Sequence, residues 1–338
     1  MLTASCLLTT SLDGLEGPPF SPDGGLPNDG GGADIADATI TDSEVGSGNA
    51  DGGSDGGQIE DAPILDADAN RPSFVVRVGG VLRGIAEHGA YVYWVQPDLG
   101  AGIARVRKDG EGMSAFVEMT ENAFDVAVDD EYVYWSTGGS PGTGNEVHRK
   151  SLHADGSSGA FYFSGSRETL YLAAGIAGLV YVTGFNSVAV GPQRPLDAGT
   201  SEQLYPMQDG AIGIAVFGMD LYWSSDAGIV RGSVAGLAQK GPQPLYRAAP
   251  GEAAGIATDG REVFWIGSHG TVRAISPDDP NATPREVCRA SAETSDAESD
   301  ARPDADGGTS VVADIAVDDE WVYFTEPAVR QISKCRKR

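Results

Sequence analysis

Apolar residues in this chain come in short bursts at a regular spacing. A small residue, an aliphatic one and an alanine are followed by a mostly polar turn and then by a run ending in aromatics. The pattern occurs six times: "GIAEHGAYVYW" (84–94), "DVAVDDEYVYW" (125–135), "LAAGIAGLVYV" (172–182), "GIAVFGMDLYW" (213–223), "GIATDGREVFW" (255–265) and "DIAVDDEWVYF" (314–324). Successive copies start 41, 47, 41, 42 and 59 residues apart. No helical period appears in the unit, and repeats of this length belong to solenoids, propellers or arrays. Each unit reads as four short strands: "GIA", then "YVYW", then a segment such as "GIARVRKDG" (102–110), then one such as "SAFVEMT" (114–120). The first two strands are joined through Gly89, Asp130, Ala177, Gly218, Gly260 and Asp319, mostly residue types that accept tight-hairpin dihedrals.

The second strand does not alternate between apolar and polar, so both of its faces are expected to be buried. Stacked propeller blades satisfy this, and a half-exposed sheet does not. Gly84, Ala86, Ala127, Ala174, Gly213, Ala215 and Ala257 suit the crowded axis, while Trp94, Trp135, Trp223 and Trp265 suit core packing further out. The sixth unit has no segment for a fourth strand, and "PSFVVRVGG" (72–80) is a strand without a unit. The expected fold is all-β: a six-bladed β-propeller of four-stranded blades over 72–338, with the N-terminal strand closing the last blade.

Charge changes the picture mainly at two places. The formal net charge is −26 over 338 residues. Residues 1–70 hold fourteen Asp or Glu and no Lys or Arg, and 291–306 hold six acids against one Arg. These two stretches supply −19, so the body is only mildly acidic, and phosphate neutralisation of a nucleic acid is excluded as a function. Residues 1–71 read as a disordered Asp/Gly-rich tether and about 291–308 as a disordered acidic insertion, since apolar residues are too sparse to offset ordering entropy. No stretch approaches the ~18 apolar residues of a membrane span. Cys6, preceded by small residues and followed by the long polar tether, is similar to the lipidated cysteine of bacterial lipoproteins. The basic and apolar regions of a signal peptide do not precede it, so the alternatives are an upstream signal outside this start or an incidental Cys6.

The segment "LYWSSDAG" (221–228), preceded by "GIAV" and carrying Asp226, resembles the YWTD six-bladed propellers, and more broadly the TolB-like and NHL-like superfamily. The layout of Cys, Asp/Gly linker and "IAVDD..VYW" repeats is similar to the propeller-containing lipoproteins of myxobacteria. The resemblance covers 72–338. It implies export to a bacterial cell envelope, at the outer membrane or in the periplasm, with membrane contact only through a lipid anchor.

Lactonases on this fold hold calcium with acids converging on the central channel. The channel positions expected here are Gly84, Asp125, Leu172, Gly213, Gly255 and Asp314. Asp125 and Asp314 are the only candidate calcium ligands among them, too few for the 6–8 oxygens of an all-protein cage. Bonding to backbone N–H groups of neighbouring blades is the expected role. His88, His148, His153 and His269 show no acid–base pairing, and no G-x-S-x-G, P-loop or zinc spacing occurs. Arg105, Arg231, Arg273 and Arg330 recur in third strands, as a candidate anion collar or as partners of acids on adjacent blades. Cys288 and Cys335 fall on neighbouring blades and are a candidate disulfide in an exported protein. No catalytic residue is assigned. The function expected from the sequence is a non-catalytic binding or scaffolding module for a protein, glycan or small molecule. Its rival is a hydrolase or lyase at the channel, lactonase-like and calcium-dependent.

Overall fold

A computed structural model describes residues 72–96, 102–118, 123–137, 145–154, 159–164, 171–175, 180–184, 187–191, 201–236, 241–249, 252–267, 270–279, 281–290 and 314–337. Cys6, the tether, His269 and the acidic insertion lie outside the described residues. A lone strand β1 (Ser73–Arg77) comes first. Blade 1 follows as β2 (Ile85–His88), β3 (Tyr91–Gln96), β4 (Gly102–Arg107) and β5 (Ser114–Val117). Blade 2 is β6 (Ala123–Val128), β7 (Tyr132–Thr137), β8 (Glu146–Ser151) and β9 (Ala160–Ser164); blade 3 is β10 (Tyr171–Ala174), β11 (Val180–Gly184), β12 (Ser187–Val190) and β13 (Glu202–Pro206). Blade 4 is β14 (Ile214–Phe217), β15 (Asp220–Ser225), β16 (Gly228–Ser233) and β17 (Gln243–Arg247); blade 5 is β18 (Ile256–Thr258), β19 (Val263–Ile266), β20 (Thr271–Ile275) and β21 (Arg285–Arg289). Blade 6 is β22 (Ile315–Val317), β23 (Trp321–Glu326) and β24 (Gln331–Arg336), with β1 as its outer strand. All six sheets are four-stranded and antiparallel, so the chain is a six-bladed β-propeller closed by its N-terminal strand.

Stacking produces the core. Side chains of successive residues on each inner strand point to opposite neighbours. Ile85 therefore packs with blade 6 and Ala86 with blade 2, and one apolar cluster fills each junction between blades. By register the equivalent inner-strand position is alanine in every blade, Ala86, Ala127, Ala173, Ala215, Ala257 and Ala316, and all six line the channel. In blade 3 this is Ala173, one position before the expected Ala174. Trp94, Trp135, Trp223 and Trp265 are fully enclosed, as the core reading requires.

The two nearly identical eleven-residue stretches build the same device. Asp129 Oδ1 accepts the N–H groups of Glu131 and Tyr132 at 2.8 and 2.7 Å, and Oδ2 accepts the Tyr134 hydroxyl at 2.8 Å. Asp318 does the same for Glu320 and Trp321 at 2.9 and 2.7 Å, and for the Tyr323 hydroxyl at 3.0 Å. One carboxylate thus closes the hairpin and holds the buried phenol five residues on. Burial, and then Asp129, keep the Tyr134 phenol protonated well above its ordinary range.

The ring closure carries further bonds. Lys108 of blade 1 donates to Glu87 at 2.6 Å and across the junction to Asp318 of blade 6 at 2.7 Å. Lys334 donates back to the Lys108 carbonyl at 2.7 Å. Cys288 on β21 and Cys335 on β24 are joined by a disulfide with Cα atoms 6.5 Å apart, linking blades 5 and 6. Removing 1–71 should leave the melting temperature within a few degrees of the full chain. Removing 1–80 takes away β1 and with it Val75, Val76 and Val78 from the blade 6–blade 1 core, leaving β24 as an open edge. Calorimetry of the two truncations should show a large loss only for the second, and equal stability would refute closure through β1.

Candidate active site

The inner strand of each blade has a neighbour on one side only, so half of its N–H groups face the channel with no strand to accept them. The channel that these edges enclose holds about 160 Å3. Register defines its mouth. The inner residues opposite the second-strand aromatic position are Ile85, Val126, Leu172, Ile214, Ile256 and Ile315. The preceding residues, which form the mouth, are Gly84, Asp125, Tyr171, Gly213, Gly255 and Asp314. Blade 3 departs from the sequence reading, with Tyr171 at the mouth and Leu172 in the wall. Five residues separate Ala174 from its partner Val180, where four separate Glu87 from Val92, so counting back from the aromatic position lands one residue late.

Asp125 and Asp314 satisfy the orphan donors. Asp125 Oδ1 accepts the N–H of Val126 at 2.8 Å, and Oδ2 accepts that of Leu172 in blade 3 at 2.7 Å. Asp314 Oδ2 accepts the N–H of Ile85 in blade 1 at 3.0 Å. Each acid thereby bonds to the next blade. Their own N–H groups are held by second-strand hydroxyls, Ser136 Oγ at 3.2 Å and Thr325 Oγ1 at 2.8 Å. Gly84 stands between the two acids. A Cβ there would lie 1.9 Å from Asp125 Oδ1, so only glycine lets that carboxylate take its place.

Beside the acids stands an aromatic and cationic flank. The Tyr171 ring meets Phe124 edge-on at 5.3 Å. The Arg83 guanidinium lies 5.3 Å over Phe124 and donates to the Ala123 carbonyl at 3.2 Å. The opposite arc carries only Gly213 and Gly255. At the channel's other end Glu87 faces the lumen, its carboxyl pushed up by burial against the opposing pull of Lys108.

Burial sets the electrostatics. It pushes the Asp125 carboxyl well above the usual carboxylate range, the Asp314 charge adds to this, and the N–H groups of Leu172 and Val126 oppose it. Asp314 is partly exposed and lines the channel. Burial pushes it up to about 6, against the N–H groups of Ile85 and Ile315. The Tyr171 phenol is pushed above its ordinary range by burial, then by Asp125 and Asp314, with Arg83 opposing. Burial thus holds both channel carboxyls above the usual range, with the Asp314 charge adding to the effect at Asp125, a shift that acid–base chemistry uses.

Other candidates fall elsewhere. The four arginines form no collar, because third strands stand two strands out from the axis and cannot converge on it. Arg105 lies over the rings of Tyr91 and Phe116 at 4.7 and 5.0 Å. Arg231 pairs with Asp220 at 2.9 Å and with Asp278 of the next blade at 3.2 Å. Arg273 pairs in register with Trp265 and Glu286 within its blade. Arg330 is not in a strand but in a left-handed turn with φ 53° before β24. His148 stacks on Trp135 at 5.7 Å and reaches Glu146 at 3.0 Å, while His88 faces the exposed Asp130 at 3.9 Å. A calcium cage does not fit: two channel carboxylates fall short of its 6–8 oxygens, and no three metal-binding side chains cluster among the described residues.

No family model and no curated protein matches the sequence. Solved structures do match. A gluconolactonase from Xanthomonas campestris is 13% identical with a TM-score of 0.56, over 78% of this chain and 89% of that one. The PQQ-bound aldose sugar dehydrogenase from Streptomyces coelicolor is 12% identical with a TM-score of 0.51, over 78% and 96%. A protein of unknown function from Bacteroides thetaiotaomicron is 13% identical with a TM-score of 0.53, over 78% and 72%. At this identity the likeness is one of fold. The reading of a purely binding or scaffolding module is nonetheless corrected. It rested on the lack of converging acid–base groups, whereas Asp125 and Asp314 both line the channel, and solved structures of this fold include a gluconolactonase and a sugar dehydrogenase.

The acid pair makes stability depend on pH. The folded Asp314 carboxyl lies above its unfolded value of about 3.9. Its contribution is therefore complete below about pH 4 and is lost as pH rises through about 6. Asp314→Asn keeps an acceptor for Ile85 without the charge. The variant should melt several degrees above wild type at pH 8, with the gap closing by pH 4. A gap independent of pH would refute the shifted carboxyl.

Proposed function

We propose that the propeller is a hydrolase acting on a small acyl substrate, a lactone or ester, at the mouth of its central channel. The observation that carries this reading is that Asp125 and Asp314 both line the channel mouth with their carboxyls raised by burial, at a cost in stability above neutral pH. Stability sacrificed at one spot is a common mark of a working site. Asp314, the first of the pair to ionise, takes a proton from water as the water oxygen bonds to the acyl carbon. The carbon–oxygen bond to the leaving alkoxide then breaks, and Asp125, which keeps its proton, protonates that oxygen. The small cavity suits the reacting end of a small molecule and not a polymer.

This reading goes with a place among the YWTD, TolB-like and NHL-like six-bladed propellers, supported by "LYWSSDAG" and by the packing of Asp226 against Gly210, where a Cβ would come within 2.5 Å of its carboxyl. It also goes with export to the cell envelope on a lipid anchor at Cys6, supported by the polar, acidic stretch behind that cysteine.

Purified protein assayed on δ-gluconolactone and 4-nitrophenyl acetate should show turnover rising with pH through an apparent pKa of about 6, the value of Asp314. Asp314→Asn and Asp125→Asn should each lower kcat by roughly 10²–10⁴-fold, the usual worth of general acid–base groups. Turnover unchanged in both variants would refute the assignment. Expressed in a bacterium from its natural upstream region, the protein should partition into detergent, and Cys6→Ser should release it. Wild type found only in the aqueous phase would refute the anchor.

A further inference from the structure

The mouth holds a third functional group that the acid pair does not account for. Tyr171 is half-buried, yet among the described residues its hydroxyl has no hydrogen-bond partner. Tyr134, Tyr323 and Tyr205 are engaged, on Asp129, on Asp318 and on the Ser233 carbonyl at 3.0 Å, while Tyr181 and Tyr222 lie in the core with no hydroxyl partner among the described residues. What sets Tyr171 apart is that it lines the channel. Tyr171 also interrupts the small residues and acids that occupy this position in the other blades. Its ring meets Phe124 edge-on, with Arg83 covering Phe124, and packs against the apolar cluster between blades 3 and 4, so the phenol is braced by both neighbouring blades where it lines the channel. Both carboxylates lie close enough to act on it electrostatically.

We propose that Tyr171 is a catalytic residue of the hydrolase described above: its O–H donates to the carbonyl oxygen of the bound acyl group and stabilises the oxyanion that forms there. The inference rests on that reading and adds the electrophilic partner that an acid–base pair lacks. During attack, the water oxygen bonds to the acyl carbon, its proton goes to Asp314, and the carbonyl electron pair moves onto the oxygen facing Tyr171. On collapse that pair re-forms the carbonyl, the bond to the leaving oxygen breaks, and that oxygen takes the proton from Asp125. Tyr171 donates a hydrogen bond throughout and transfers no proton. The neighbouring carboxylates and burial suit it to this, since they disfavour phenolate and keep the donor in place. Arg83 moderates the effect and braces the ring.

Tyr171→Phe removes only the hydroxyl, and because that group holds no protein partner the fold should tolerate the change. The test compares wild type, Tyr171→Phe and Asp314→Asn on δ-gluconolactone and 4-nitrophenyl acetate. Loss of one oxyanion donor typically costs about 10²–10³ in kcat. The expected result for Tyr171→Phe is a fall of that size, KM within about threefold of wild type, an unmoved acidic limb of the pH profile and an unchanged melting temperature. Asp314→Asn, by contrast, should abolish the acidic limb. If wild type turns over and Tyr171→Phe keeps kcat within threefold, the Tyr171 role is overturned while the acid–base pair stands. If Tyr171→Phe loses activity together with several degrees of melting temperature, the residue is structural and the proposal fails. If wild type hydrolyses neither probe, the parent reading falls and this inference falls with it.

Discussion

The convergence of six inner strands on one axis governs this molecule. Each of those strands is the edge of a sheet, and each edge presents backbone donors to the same narrow space. Close approach demands small side chains, which the ring of alanines supplies. The open donors demand acceptors, and a propeller has few ways to provide them without admitting water. Asp125 and Asp314 are placed where they answer that demand, each reaching from its own blade to the backbone of the next.

Answering it with carboxylates has a consequence. An acid accepting one or two N–H groups is well solvated by them, but burial outweighs those bonds at both sites, and at Asp125 the Asp314 charge adds to it. The same two residues that tie blade 2 to blade 3 and blade 6 to blade 1 therefore hold their protons above the usual carboxylate range. Structure and chemistry share the groups, and Gly84 makes the sharing possible by leaving room beside Asp125.

The six mouth positions are equivalent by symmetry and unequal by residue. Two acids and a phenol lie on one arc with Gly84 among them, and two glycines lie on the other. The far end of the channel is different again: Lys108 bridges Glu87 and Asp318 there, and the cluster serves ring closure. A repeat fold thus obtains a polarised channel from a few substitutions at one layer, while the aromatic layers further out stay uniform.

Much of the architecture was legible in the chain alone. The burst spacing, the non-alternating "YVYW" runs and the unpaired "PSFVVRVGG" are local signals, and burial on both faces of a strand leaves few folds to choose from. The Asp125 and Asp314 contacts to neighbouring backbones were legible as well, because position one of the unit must face an open edge. Tyr171 was not, since one extra residue in a hairpin shifts the register and a repeat alignment cannot see it. The arginine collar misled for a related reason: recurrence in sequence marks an equivalent radius, not convergence, and third strands lie too far from the axis to meet. Above all, the pairing of Asp125 with Asp314 joins residues from blades separated by Gly84. Whether two such carboxylates line one channel depends on ring closure and on the width of the channel, and only the packed tertiary structure sets those.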